Sequence, residues 1–113
     1  MIHHLFTDGS YNPHLNISSV GGYLLDDNKE LIFDFSEKLL ERDLLKYHEL
    51  AALKCGLQKC LNYDIQHLVC YSDDISLRNL NYLEVLNKHP IDPIKKSLIK
   101  DIIELRQQFP LIE

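Results

Sequence analysis

Three carboxylates, Asp8, Glu49 and Asp73, stand where acids can act together. Asp8 closes a short apolar, β-compatible stretch at residues 2–8, and Asp73 follows a second such stretch at residues 67–72. If those strands run side by side and parallel, both acids emerge at the same end of the sheet, where open α/β sheets take their ligands. Glu49 lies near the start of a buried helical pattern that can face that end. Unpaired acids gathered in one place repel each other and raise one another's pKa. A divalent cation relieves that repulsion, and hard cations prefer oxygen ligands. Each acid also has a plain structural reading. Asp8 precedes Gly9 as turn formers do, Glu49 suits the positive end of a helix dipole, and Asp73-Asp74 suits a helix cap. The order of all three on matching elements is what favours a shared site.

The elements that must position these acids follow from periodicity. After residues 2–8, residues 9–19 carry Gly9, Ser10, Asn12, Pro13, Asn16, Ser18 and Ser19, a loop composition. Residues 20–25 read as a second strand, with Gly21 and Gly22 marking a bulge or a close backbone approach. Asp26-Asp27-Asn28-Lys29 is a turn signal. Leu31, Phe33 and Phe35 alternate with Ile32, Asp34 and Ser36, giving a third strand with one face buried. Short connections make these three an antiparallel meander. The period then shifts to that of a largely buried helix over residues 44–62, capped by Asp43. A fourth strand at residues 67–72 follows by a crossover, so it should lie parallel to the sheet. A second helix covers residues 76–87. A third starts after the cap Asp92 with Pro93 at its first position, and carries the stripe Ile94, Leu98, Ile102, Leu105 and Phe109. The order β-β-β-α-β-α-α gives an α/β mixed sheet with helices packed on it.

The 113 residues suffice for one small domain, residues 1–113. An apolar share of 45% and a charged share of 26% place the chain among soluble globular proteins. No apolar run reaches the roughly 20 residues of a membrane helix, and no secretory signal opens the chain, so a cytoplasmic address and no membrane partner are expected. Cys55, Cys60 and Cys70 lack paired spacing and read as buried reduced thiols rather than zinc ligands. The net charge of −5 runs against a polyanionic partner. From Arg78 to Arg106, six basic residues against four acidic ones make only a weak basic face.

Three short motifs share one resemblance. Phe6-Thr7-Asp8-Gly9-Ser10, Glu49-Leu50-Ala51-Ala52-Leu53 and Tyr71-Ser72-Asp73 resemble the opening strand, first helix and fourth strand end of ribonuclease H. The element order matches from residue 2 to about residue 110. The resemblance implies a ribonuclease H-like fold. It also implies a metal-dependent endonuclease that hydrolyses the RNA strand of RNA–DNA hybrids, with Mg²⁺, or Mn²⁺ in its place, as cofactor. Two ions would flank the scissile phosphate, one activating a water and the other stabilising the leaving oxygen. By motif, Asp8 would bridge both ions, and Glu49 and Asp73 would complete the second ion's shell. The backbone at Gly9 and Ser10 would approach the sugar–phosphate chain, with Asn12 beside them as a nucleic-acid contact. A hybrid is told from DNA duplex by its shape and 2′-hydroxyls.

The sequence departs from that pattern in three places. The family's fourth carboxylate lies on a helix after a fifth strand, and Glu113 stands where that strand would begin. Lys46-Tyr47-His48 replaces an Asn-rich approach to the catalytic Glu. A basic, Trp-bearing handle is absent. These departures imply a C-terminally truncated domain that binds one Mg²⁺ better than two and cleaves weakly or not at all. The alternative is a non-catalytic ribonuclease H-like module that binds nucleic acid or a partner protein. With strand five missing or reduced to residues 111–113, strand four has an open edge. Either a homodimer through that edge or the chain's own tail is expected to cover it.

Overall fold

The computed structural model describes residues 1–39, 46–74, 77, 81–87 and 91–113. The strands are β1 (Ile2–Asn12), β2 (Ile17–Leu25), β3 (Leu31–Leu39), β4 (His67–Ser72) and β5 (Leu111–Ile112). The helices are α1 (His48–Cys60), α2 (Tyr82–Leu86) and α3 (Pro93–Arg106). The sheet runs β3-β2-β1-β4-β5, with β1–β2 and β2–β3 antiparallel and β1–β4 and β4–β5 parallel. This is the mixed sheet expected from the sequence, with β1 at its centre.

The first hairpin is longer than its composition suggests. Gly9 to Asn12 pair with Ile17 to Val20 as regular strand, where a loop was expected. Backbone bonds carry this pairing, and Ser10 and Ser19 meet across it at 2.6 Å through their hydroxyls. The turn is confined to residues 13–16. There the Asn12 carboxamide accepts from the amides of His14 (3.0 Å) and Leu15 (3.3 Å), and Asn16 adopts a φ of 52°. Asn tolerates that left-handed conformation better than most residues. β3 likewise runs on to Leu39.

All described helices pack on one face of the sheet. The core joins Leu5, Leu24 and Leu68 from the strands to Leu53, Leu57 and Cys60 of α1 and Leu98, Ile99 and Ile102 of α3. Gly56 lets α1 approach β1, since a Cβ there would lie 2.9 Å from the Thr7 methyl. Lys54 and Asp101, 2.8 Å apart, and Tyr47 Oη donating to Asp92 at 2.6 Å tie α1 to the α3 segment. The start of α1 differs from expectation: His48 follows Tyr47, which makes no side-chain cap, while the expected cap Asp43 lies outside the described residues. Of the expected helix at 76–87, α2 and residue 77 are described as helical. α3 ends at Arg106, short of Phe109, which is nonetheless buried in the core. Its cap is as expected, with Asp92 accepting from the Ile94 amide at 2.9 Å.

Of the two expected covers for the edge of β4, the structure shows the chain's own tail. Leu111 donates to Gln66 O (3.1 Å), Glu113 donates to Leu68 O (2.9 Å), and Cys70 donates to Glu113 O (2.9 Å). The chain's own tail therefore covers the β4 backbone from Gln66 to Cys70, and a homodimer through β4 lacks that stretch of edge. No described helix is long and apolar enough to cross a membrane.

Candidate metal and nucleic-acid site

The β1–β4 pairing ends at Thr7 and Ser72. Asp8 and Asp73 each follow immediately, so both leave the sheet at the same end, as parallel neighbours must. Side chains alternate along β1: His3, Leu5 and Thr7 are buried toward the helices, while His4, Phe6 and Asp8 take the other face. Asp8 and Asp73, both exposed, line a cleft of about 960 Å³ on that face together with Ser10, Gly21, Tyr23 and Tyr71.

Glu49 approaches from the helix side. The Gly9 amide lies past the end of β4 and has no strand neighbour there. The Glu49 carboxylate takes that bond, Oε1 accepting at 3.0 Å. Gly9 is required for the approach, because a Cβ would fall 2.5 Å from His48 O and 2.9 Å from Glu49 N. Burial pushes the Glu49 carboxyl above its ordinary range; the Gly9 bond opposes this, nearby Asp8 adds to it, His48 opposes it, and Asp74 adds to it. The imidazole of His48 stands 3.8 Å away. Glu49 and Asp74 share a groove with Lys46, His48 and Lys95.

The sequence-derived triad is therefore divided. Asp8 and Asp73 share the cleft on the helix-free face, and Glu49 faces Asp8 from across the β1 end. No group of three or more His, Cys, Asp or Glu side chains among the described residues is gathered closely enough to hold an ion. In this arrangement the Glu49 carboxylate is bonded to the Gly9 amide, within the field of Asp8. The donor chemistry still fits a hard divalent cation, since every candidate is a carboxylate. Asp74 also acts on Glu49, after Asp8, and the sequence favours it as a helix cap over a water-mediated metal contact. Asn12 is engaged in its own turn. Ser10 is engaged with Ser19. Of the cysteines, Cys60 is buried, whereas Cys55 and Cys70 are half-buried, and all three are free thiols.

A family model described as reverse transcriptase-like matches residues 6–113. The chain belongs to this family of ribonuclease H-like domains, as its three motifs implied. Among solved structures, it is similar to ribonuclease H1 from the halophilic archaeon Halobacterium salinarum (TM-score 0.80, 17% identity, 99% of this chain and 82% of that one). It is also similar to the N-terminal ribonuclease H domain of a Mycobacterium tuberculosis protein, solved as a fusion with maltose-binding protein (0.74, 13%, 99% and 78%). A third similar structure is LC11 ribonuclease H1, solved in complex with an RNA/DNA hybrid (0.64, 12%, 98% and 83%). At these identities the likeness is one of fold. A comparison with curated protein sequences returned no match.

Proposed function

We propose that this chain is a divalent-metal-dependent ribonuclease H that acts on the RNA strand of RNA–DNA hybrids, with Asp8, Glu49 and Asp73 as its metal-binding and catalytic carboxylates. The observation that carries this reading is Glu49, whose half-buried carboxyl is raised by burial and by Asp8 and Asp74 while bonded to the Gly9 amide. An acid held in that field by a backbone that admits no side chain is costly for a merely structural helix start. Bound Mg²⁺ or Mn²⁺ would supply the charge that activates water and stabilises the leaving oxygen. Asp8 and Asp73 present oxygen ligands on the cleft side, and Glu49 presents its own from α1. The backbone at Gly9 and Ser10 would approach a sugar–phosphate chain passing beside Asp8. The hybrid as substrate is supported by family membership and by the complex solved for LC11 ribonuclease H1.

The test is cleavage of a labelled hybrid across Mg²⁺ and Mn²⁺ titrations, with Asp8→Asn as control. Weak, metal-dependent cleavage of the RNA strand that disappears in Asp8→Asn is the expected result. Turnover unaffected by Asp8→Asn removes the catalytic assignment. The second reading, a non-catalytic module that binds nucleic acid or a partner protein, is favoured by the absence of a gathered ligand set among the described residues. Hybrid binding without cleavage at any metal concentration decides for it.

A further inference from the structure

Arg106 closes α3, where a positive charge suits the negative end of the helix. That role asks only for a solvated cation. Arg106 is instead half-buried, and its guanidinium lies over the Tyr82 ring, 5.3 Å from the centroid. Its field also reaches inward. Burial pushes the Cys70 thiol and the Tyr82 hydroxyl up, and Arg106 opposes the shift at both. Among the described residues, no carboxylate forms an ion pair with Arg106. A guanidinium drawn partly out of water with no anion beside it is costly.

Two hollows meet at this pair, and Arg106 and Tyr82 line both. The outer groove, about 580 Å³, runs along Leu83, Ile103 and Ile112. The inner hollow, about 130 Å³, is bordered by Thr7, Cys70 and Ser72 on the side of the sheet where α1 and α3 pack. Roughly four waters at ~30 Å³ each would fill it. That is room for one tetrahedral oxyanion and too little for a sugar or a base.

We propose that Arg106 and Tyr82 form a seat for a phosphate group, with the phosphate in the inner hollow and any group that carries it in the outer groove. The arginine fork matches two phosphate oxygens. The Tyr82 hydroxyl makes no hydrogen bond to a described residue and can donate to a third oxygen. No carboxylate opposes an anion there: Glu113 borders the inner hollow, but its side chain is bonded to His67 at 2.7 Å. The seat lies behind the acidic cleft, since Thr7 and Ser72 precede Asp8 and Asp73. It uses none of the three proposed catalytic carboxylates, so it stands or falls apart from the nuclease reading. A free phosphate ion and the terminal phosphate of a nucleotide chain offer the same chemistry.

The test is a titration of the full chain with inorganic phosphate, followed by amide NMR shifts at constant ionic strength. EDTA is present, so that no metal can bridge phosphate to Asp8. Saturable shifts at Cys70, Ser72, Tyr82 and Arg106, with a Kd in the millimolar range, are expected. Arg106→Gln should weaken binding at least tenfold. Tyr82→Phe keeps the ring under the guanidinium, loses only the hydroxyl, and should weaken binding about threefold or more. Lys100→Gln, exposed on α3, should leave it unchanged. Arg106→Lys keeps the charge at the helix end without the fork and should also bind about threefold more weakly or worse. That variant keeps the test decisive should Arg106→Gln fail to fold, which circular dichroism reports. A 5′-phosphorylated dinucleotide, compared with inorganic phosphate and with its own 5′-hydroxyl form, separates the sources. Tighter binding than inorganic phosphate assigns the outer groove to a nucleotide, and binding no tighter assigns the seat to the free ion. Shifts that never saturate, binding indifferent to both Arg106 substitutions, or a 5′-hydroxyl dinucleotide held as tightly as its phosphorylated form overturns the proposal.

Discussion

The Glu49 carboxylate and the Gly9 amide, 3.0 Å apart, join the first turn of α1 to the end of the central strand. The contact exists because β4 stops at Ser72 and leaves the Gly9 N–H without a strand neighbour. It makes Gly9 the tightest point of the site. Gly9→Ala drives a methyl into the His48 carbonyl at 2.5 Å, backbone against backbone, where nothing flexible can yield. Gly56→Ala meets the Thr7 and Leu5 side chains at 2.9 Å and beyond, and gains helix propensity in return. Gly9→Ala should therefore cost about 3 kcal/mol, the upper end of overpacking, and lower Tm by on the order of 10 °C. Gly56→Ala should stay within about 4 °C of the parent. Thermal melts that rank the two in the opposite order would show that the start of α1 moves freely.

Glu49→Gln should stabilise the protein at neutral pH. The amide keeps an oxygen for the Gly9 N–H and removes a charge that burial, Asp8 and Asp74 all disfavour. A gain in Tm of about 2–4 °C corresponds to roughly 0.5–1 kcal/mol in a domain of this size. Equal or lower stability would mean that the charge itself is needed, with His48 as its partner at 3.8 Å.

Mg²⁺ should raise the Tm of the parent chain and should do so much less in Asp8→Asn. Binding at ten times Kd adds about 1.4 kcal/mol, and the dispersed carboxylates point to a Kd in the millimolar range. Chelation should return the melt to its starting point. A shift of equal size in Asp8→Asn places the ion elsewhere.

The thiols give a pH signature. Burial pushes Cys60 up to about 12 and Cys70 to about 11. Little thiolate forms at these two positions near pH 8, and the fully buried Cys60 should react with a thiol reagent only as fast as the fold opens. Because folding raises these values, the folded state keeps protons that the unfolded state releases above about 9. The stability they contribute is complete below that value and is lost as pH rises toward 11 and 12. Chemical denaturation followed from pH 7 to 10.5 should show a falling midpoint at the alkaline end, and Cys60→Ser should flatten that decline while lowering stability overall. A midpoint level across the range would contradict the burial of Cys60.

Much of this fold was legible because burial and periodicity agree. Leu5, Leu24, Leu57, Leu68 and Ile102 sit in the core where the apolar pattern put them, and Asp92-Pro93 starts α3 as written. The strand ends were read short because Gly9, Ser10, Ser18 and Ser19 look like loop, yet backbone pairing does not depend on their side chains. The acids were legible as a set because two parallel strands place Asp8 and Asp73 at one end. The bond from the Gly9 amide to Glu49 was not legible, because it follows from where β4 stops and hence from an amide without a strand neighbour. Nor did sequence show the stacked rings of Tyr23, Phe6 and Tyr71, which depend on three strands being in register.

The central position of β1 has a kinetic consequence. Its β2 neighbour follows directly in the chain, but its β4 neighbour arrives only after α1 has been made. Non-local pairing of this kind waits on loop closure. A chain folding from its N-terminus therefore passes through a stage in which the strand destined for the middle is still a border, with Ile2 to Thr7 offering bare amides and carbonyls to any passing strand. Until β4 docks, foreign strands can compete for that border, and the speed with which α1 settles on β1 through Gly56 sets how long they have.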